Sequence, residues 1–335
     1  MKRTYLALVA LVLIVPVAAL AGDYHKGTTL NCSECHVMHA SQSHGYNANG
    51  TGIFTTVDGS APYEYLLRNK VNELCLTCHD NQTFAPDVLE GNGGVAGTEG
   101  RLAGALNENN VAPYLDATGH TLGSTDVAPG GTWHNANGLE CTDCHSPHGR
   151  TSGTNTNPYR NLGNDKTGTY TAYLTYAVGT NDITKDVFER SASGSDHYDL
   201  TNVDYNEPNA TGSAMGNFCQ SCHTNFHGNA SSANMNDGTT WLRHPTAEVN
   251  ASISTFGGRL YRPKIMSPTG NWGTQGASFT TGPADLTPSC FSCHAAHGNT
   301  NAFAFKYNNG SSPIGENGNG GTYRETCRSC HRQGS

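Results

Sequence analysis

The sequence is poor in hydrophobic residues. They make up 36 % of the 335 residues, whereas ordinary globular domains contain about 45–50 % apolar residues. Glycine is abundant, with 40 copies, which predicts a chain rich in loops. A chain of this composition has few apolar side chains to offset the conformational entropy that folding costs. The sequence therefore predicts a fold whose core is not built from side chains alone.

Basic residues are also scarce. Lysine and arginine together number 19, against 27 aspartates and glutamates, so the formal net charge at pH 7 is −8. Proteins that bind nucleic acids need basic surfaces that neutralise the phosphate backbone. The composition therefore argues against nucleic acid as a partner. Removal of Lys2 and Arg3 with an N-terminal leader would make the charge −10.

Hydrophobic runs of membrane-spanning length are absent after the first 21 residues. The chain begins with Lys2 and Arg3, continues with the apolar run TYLALVALVLIVPVAAL and has ALA at 19–21. This order is typical of a secretory signal peptide cleaved after Ala21. An uncleaved anchor is the alternative, but the run is short for a membrane span. We therefore expect residues 1–21 to be a signal peptide and residues 22–335 to form a single elongated, exported domain.

No cysteine lies outside a CxxCH motif, because six copies of the motif use all twelve cysteines. CxxCH is the attachment signature of c-type haem. We predict that both cysteines of each copy form thioether bonds to haem and that the histidine ligates the iron. The six copies are Cys32, Cys35 and His36; Cys75, Cys78 and His79; Cys141, Cys144 and His145; Cys219, Cys222 and His223; Cys290, Cys293 and His294; and Cys327, Cys330 and His331.

CxxC alone also occurs in zinc sites and in proteins of thiol–disulfide exchange. Neither needs a histidine directly after the second cysteine. Histidine makes up 16 of the 335 residues, so six such histidines by chance have a probability on the order of 10⁻⁸. We therefore expect a multihaem cytochrome c, with mostly irregular loops, short helices and few strands wrapped around a chain of six haems. The clearest helical pattern, over 63–79, leads into the second motif.

The sequence has more histidines than the motifs use. Ten remain, and six would give every iron a second histidine. Four of the ten follow a motif within three or four residues. On a helix such neighbours share a face, so each is poorly placed for the far side of its own haem and is predicted to ligate a neighbouring haem. The predicted distal ligands are His39, His148, His227 and His297, completed by His120 and His244. His25 and His134 are kept in reserve, and His44 and His197 are interpreted as surface residues.

The order of the motifs carries a family resemblance. The series CSECHVMH, CLTCH, CTDCHSPHGR, CQSCHTNFH, WLRHPT, CFSCHAAH and CRSCH resembles the extracellular hexahaem cytochromes of the OmcS type. The match runs through most of the chain after residue 21 and rests on the motifs and their order, while the intervening loops differ. The resemblance implies identical subunits joined end to end in filaments with a continuous row of haems. It also implies that His39 reaches into the neighbouring subunit and ligates the haem of Cys290, Cys293 and His294.

These patterns favour an electron-transfer protein over an enzyme, because an iron that binds two histidines has no open position for a substrate. We expect a conduit at the cell surface or outside the cell, with redox partners at the outer membrane and extracellular acceptors. Two alternatives stay open. One is a monomeric periplasmic electron shuttle, and the other is a multihaem reductase of nitrite or a related nitrogen oxide with one open haem.

Overall fold

A computed structural model describes the chain over eight longer ranges, four two-residue strands and five single residues. The longer ranges are 32–37, 63–80, 85–89, 103–107, 115–148, 159–163, 218–224 and 290–305. The single residues are 25, 30, 82, 112 and 323. The predicted signal peptide over 1–21 lies outside the described residues, so its cleavage and the single domain over 22–335 stay predictions.

Short helices carry the CxxCH motifs. They are α1 (Cys32–Cys35), α2 (Val71–His79), α3 (Cys141–Cys144) and α4 (Cys290–Cys293). In α1, α3 and α4 the amide of the motif histidine donates to the carbonyl of the first cysteine at 2.9 Å. A helical turn at 218–220 serves the fourth motif, where the corresponding bond is 3.0 Å long. Each turn therefore brings two thiols and an imidazole together at one end of a short helix.

The helical pattern over 63–79 is realised only in its second half. The helix begins at Val71 and buries Leu74, whereas Leu66, which also fitted the pattern, is 49 % exposed. Tyr65 and Leu66 have φ angles of 58° and 59°. This left-handed conformation cannot continue a right-handed helix, so the part of the pattern before Val71 forms a turn instead.

A single asparagine holds α2 against the start of α3. The Asn72 side chain donates to the carbonyl of Leu139 at 2.9 Å and accepts from the amide of Cys141 at 3.0 Å. The Asp143 carboxylate accepts from the amide of Glu140 at 2.8 Å, which satisfies one of the amides at the beginning of α3. The second and third motifs are therefore fixed next to each other.

Strands are few and short. Strand β1 (Thr175–Tyr176) pairs with β2 (Val203–Asp204), and β3 (Ile265–Met266) pairs with β4 (Thr287–Pro288), both antiparallel. The rest of the described chain is largely irregular, so the predicted fold of irregular loops, short helices and few strands is confirmed for the described ranges. Among the described helices, none has the length and hydropathy needed to cross a membrane.

The side-chain core is thin across the described ranges. The largest fully buried side chains are polar and belong to Asn107 and Asn299. The buried hydrophobic residues are Val37, Leu74, Leu89, Ala105, Leu122, Phe291, Ala295 and Ala304. Several of these are alanines, which bury little area each. The described residues thus agree with a chain that has few apolar side chains to bury.

Three backbone segments cross closely at Gly104, Gly119 and Gly298. A Cβ atom on Gly104 would overlap the carbonyl oxygen of Gly298, and one on Gly119 would lie 2.5 Å from the Cα of Gly298. Glycine is needed because the crossing leaves no room for a side chain. Directly beside it, the amide of His120 donates to the carbonyl of His297 at 2.9 Å. The crossing therefore brings two predicted distal histidines side by side.

Candidate haem-binding sites

Thiols of successive motifs meet in the structure. A hydrogen bond joins the thiols of Cys75 and Cys141, and another joins those of Cys219 and Cys290. The described cysteines, which belong to the first five motifs, form no disulfide with one another. The second and third motifs, and the fourth and fifth, therefore present their first cysteines to each other.

The first and second motifs are also adjacent. The pKa of Cys78 is raised to about 11, mainly by burial and in addition by the nearby Cys35 and Glu34. Arg68 lies beside α1, where its Nε donates to the carbonyl of Ser33 at 2.5 Å. Arg68 and Glu34 are both buried. Arg68 therefore packs against the helical turn of the first motif.

Every described motif histidine has one ring nitrogen engaged. Its Nδ1 lies 2.7–3.0 Å from a backbone carbonyl oxygen, to which the ring N–H donates. This bond fixes the tautomer and presents Nε2 as the metal-binding nitrogen. The acceptors are Tyr65 for His36, Pro86 for His79, Arg160 for His145, Pro129 for His223 and Phe303 for His294.

A second histidine faces four of these five rings, with ring centres 5.7–6.3 Å apart. Two imidazoles that bind one metal ion from opposite sides, each at about 2 Å, have ring centres about 6 Å apart. Each pair therefore fits the two axial positions of a haem iron. The pairs are His148 with His36 at 5.7 Å, His25 with His79 at 6.2 Å, His297 with His145 at 6.3 Å and His120 with His223 at 6.1 Å.

Three of the six predicted distal ligands take part in these pairs. His148 and His297 each face the histidine of a motif other than their own, and His120 faces the fourth motif. Their ligation of iron stays a prediction. The remaining distal candidates and the whole sixth motif lie outside the described residues, namely His39, His227, His244, Cys327, Cys330 and His331.

His25, which the sequence placed only in reserve, occupies the position that faces His79. Its Nδ1 donates to the carbonyl of Pro147 at 3.1 Å, across 122 residues of sequence. Pro147 directly precedes His148, another predicted ligand. No motif adjoins His25, and its one distinguishing sequence feature is that it is the first histidine after the predicted cleavage site. The other reserve, His134, is exposed, and His44 and His197 lie outside the described residues.

The ring of His120 is oriented in the same way. Its Nδ1 donates to the carbonyl of Ala296 at 2.8 Å, and Ala296 directly precedes His297. The segment Ala296–His297 thus serves two sites. His297 is the predicted ligand at the third motif, and the carbonyl of Ala296 orients His120, the predicted ligand at the fourth. Hydrogen bonds therefore connect the site of the first motif with that of the second, and the site of the third with that of the fourth.

Burial favours the neutral form of these rings. It is the main cause that lowers the pKa of His25, His79, His120 and His145. The charge of a second histidine lowers the pKa further at His25, His120 and His145, and the backbone hydrogen bond opposes the change at all four. Neutral imidazole is the form that binds metals.

The donor set suits a covalently attached haem. In the described part of the chain, no three or more histidine, cysteine, aspartate or glutamate side chains gather into a metal site. The described motifs instead combine two thiols with an imidazole, and at four of them a second imidazole stands opposite. Two thioether bonds and two axial ligands are what a six-coordinate c-type haem takes from its protein.

Comparison with known proteins finds similarity to a c-type cytochrome. No protein-family model matches the chain. The chain is 27 % identical over 359 aligned residues to the C-type cytochrome OmcS of Geobacter sulfurreducens, and the alignment covers 84 % of this chain and 79 % of OmcS. The resemblance to OmcS-type cytochromes is confirmed.

Two solved structures from Geobacter sulfurreducens overlap with the chain in part. A cryo-EM structure of OmcS nanowires shares 19 % identity at a TM-score of 0.42, covering 91 % of this chain and 99 % of that one. A filament structure of outer membrane cytochrome S shares 20 % identity at a TM-score of 0.40, covering 84 % of each chain. The similarity to OmcS therefore rests on the sequence.

The His25→Ala variant is expected to convert the haem of His79 from low-spin to high-spin, because the iron loses one of two strong axial ligands. With six motifs, about one sixth of the ferric haem should change in the electron paramagnetic resonance spectrum of the holoprotein. His134→Ala is the matched control, since His134 belongs to none of the four imidazole pairs. An unchanged low-spin spectrum in the His25 variant would contradict its pairing with His79.

Proposed function

We propose that the mature chain carries six covalent c-type haems, each ligated by two histidines, and conducts electrons along them in extracellular filaments of identical subunits. The observation that carries the proposal is the set of four opposed imidazole pairs, with ring centres 5.7–6.3 Å apart. When bound, the haems would supply the redox centres between which electrons pass. The protein's part is to ligate, orient and shield them.

The paired rings support electron transfer rather than catalysis. At four sites two imidazoles would hold the haem iron between them, and five motif rings donate hydrogen bonds to backbone carbonyls. A site of this kind has no position for a small substrate, so we propose that the protein is not an enzyme. Two histidine ligands also favour potentials below those of cytochromes with a histidine and a methionine.

Contacts between motifs support one continuous row of haems. The thiols of the second and third motifs meet, as do those of the fourth and fifth. Cys35 acts electrostatically on Cys78 between the first and second motifs, and Cys144 acts on Cys219 between the third and fourth. Every consecutive pair from the first motif to the fifth therefore has thiols near enough to influence each other's pKa. Electron transfer between haems requires such proximity.

Two of the four imidazole pairs follow a step of two motifs. The histidine after the third motif faces that of the first, and the histidine after the fifth motif faces that of the third. The same step at His294 of the fifth motif requires a motif beyond the six present. His39 follows His36 by three residues. His148 and His297 have the same spacing from the histidines of their own motifs. This register supports His39 of a neighbouring subunit as the ligand that meets the haem of His294.

The N-terminal segment and the similarity to OmcS support a site of action outside the cell. The segment over 1–21 has the order of a secretory signal peptide, and covalent attachment of haem in bacteria takes place outside the cytoplasm. We propose that electrons enter from redox partners at the outer membrane and leave to extracellular acceptors, such as metal oxides or partner cells. No part of this role requires nucleic acid.

Negative-stain electron microscopy of the native protein, recovered from outside the cells, tests the proposal. Haem is checked by the absorption spectrum, and the number of haems by the mass of the intact chain. We expect continuous haem-bearing filaments with a regular subunit repeat and a mass increment of six haems. Discrete particles at every concentration would favour a monomeric shuttle. Substantial high-spin ferric iron in the native protein would favour a reductase with an open haem.

A further inference from the structure

Three short turns in the described ranges adopt a backbone conformation that side chains disfavour. Each places two consecutive residues at φ angles between 49° and 59°. In this left-handed region the Cβ atom approaches the following carbonyl oxygen, so glycine is the usual occupant. None of the six residues is glycine. These left-handed turns are Tyr65–Leu66, Arg160–Asn161 and Phe303–Ala304.

Each left-handed turn makes the same two hydrogen bonds to a CxxCH motif. The carbonyl of its first residue accepts from Nδ1 of the motif histidine at 2.7–2.9 Å. The carbonyl of its second residue accepts from the amide of the residue after that histidine at 2.7–2.8 Å. The histidine is therefore held both through its ring and through the adjoining backbone. The motifs held in this way are the first, third and fifth.

The turns share a backbone geometry but no residue type at either of their two positive-φ positions. The separations between the histidine and the acceptor are 29, 15 and 9 residues. Tyr65 and Phe303 are 77 % and 66 % exposed, so packing of these side chains does not impose the conformation. An unfavourable conformation persists where the surrounding structure requires it. The left-handed conformation recurs in all three turns, where it points two successive carbonyl groups toward the motif histidine and the residue after it.

The even-numbered motifs are built differently. His79 and His223 donate to the carbonyls of Pro86 and Pro129, at 3.0 and 2.8 Å. Every non-glycine residue with positive φ in the described ranges belongs to one of the three left-handed turns. Among the described motifs, only the odd-numbered ones are therefore held by left-handed turns.

We propose that the left-handed turns are positioning elements, which fix the imidazole planes of the odd-numbered motif histidines and strengthen these histidines as donors to iron. The inference rests on the proposed function, because it requires these histidines to ligate haem. A hydrogen bond from Nδ1–H to a carbonyl raises the basicity of a metal-bound imidazole. A more basic ligand stabilises ferric over ferrous iron and lowers the reduction potential, a known effect of hydrogen bonding around the haem ligands.

Substitutions at Tyr65 test the inference. Valine, which is β-branched, is strongly disfavoured at positive φ, whereas glycine adopts this conformation readily. In the holoprotein we expect Tyr65→Val to move one of the six haems to a higher potential in a redox titration and to alter one low-spin component of the electron paramagnetic resonance spectrum. Tyr65→Gly should leave both unchanged, although it removes the larger part of the side chain.

Two controls separate the backbone effect from other changes. Tyr63→Val makes the same tyrosine-to-valine substitution two positions earlier. There φ is −79°, an angle that valine adopts readily, so the redox titration and the spectrum should match those of the wild type. Tyr65→Phe removes the hydroxyl that hydrogen-bonds to Glu64 and should also be without effect. The valine and glycine exchanges at Phe303 repeat the test at the fifth motif, in case Tyr65→Val does not accumulate.

The outcomes distinguish the inference from the function on which it rests. If the valine and glycine variants give the same titration and the same spectrum at both turns, the left-handed turns do not position the histidines and the inference is overturned. If the wild-type protein contains no low-spin haem with two histidine ligands, the proposed function fails before any variant is compared.

Discussion

The His39→Ala variant is expected to yield single subunits in place of filaments, with five of the six haems still low-spin. The haem of His294 should lose its second ligand and become high-spin, because the step of two motifs assigns it a histidine from another copy. His39 lies outside the described residues, so this role is inferred from the resemblance to OmcS-type cytochromes and from the step of two motifs in the pairs of His148 and His297. Negative-stain electron microscopy and the electron paramagnetic resonance spectrum of the same sample measure both effects.

His44→Ala is the matched control for this experiment. His44 lies five residues after His39 and is interpreted as a surface residue, so its loss should change neither the filaments nor the spectrum. Filaments of normal length in the His39 variant would remove His39 from the subunit interface. Single subunits with six low-spin haems would show instead that His39 supports assembly without ligating iron.

Chemistry within a few residues of a motif could be predicted from the sequence. The CxxCH spacing predicts a helical turn, because both thiols and the imidazole must reach the same haem. In α1, α3 and α4 the amide of the histidine does bond to the carbonyl of the first cysteine. Helical geometry predicts that His148 and His297 face another motif. They do, although α3 and α4 end at Cys144 and Cys293, before either histidine. Scarcity of apolar residues likewise predicts the thin core. These inferences depend on neighbours in sequence, which a single chain displays directly.

The partners of the distal histidines could not be predicted, because long-range contacts set them. His25 is oriented by Pro147 across 122 residues, and His120 by Ala296 across 176 residues. Neither separation leaves a pattern in the sequence. The crossing at Gly119 that places His120 beside His297 is equally hidden among 40 glycines.

The structural repeat was hidden for a related reason. The first cysteines of successive motifs are 43, 66, 78, 71 and 37 residues apart, which shows no fixed period. The repeat in the structure spans two motifs and consists of hydrogen bonds to backbone carbonyls, as in the left-handed turns at Tyr65, Arg160 and Phe303. Every residue has a backbone carbonyl group, so the sequence does not reveal which carbonyl accepts the hydrogen bond of a motif histidine.

The apoprotein is expected to be largely unfolded. In the described ranges the buried apolar side chains are few and several are alanines, while the largest fully buried side chains are those of Asn107 and Asn299. Six haems would each add a large apolar surface for the chain to cover. Without them, we expect a chain with 36 % hydrophobic residues to bury too little apolar area to offset the loss of conformational entropy on folding.

Limited proteolysis and circular dichroism of the exported chain, made with and without haem attachment, measure this dependence. We expect proteolysis of the apoprotein to be at least about tenfold faster, since cleavage follows the population of open chain, and we expect it to show no cooperative thermal transition. A variant with Cys75→Ser and Cys78→Ser serves as the intermediate case, because it removes one haem next to two neighbours. A cooperative transition in the apoprotein near that of the holoprotein would mean that side chains and backbone suffice for the fold. The histidine pairs would then be preformed by the polypeptide, and the haems would enter an existing framework rather than create it.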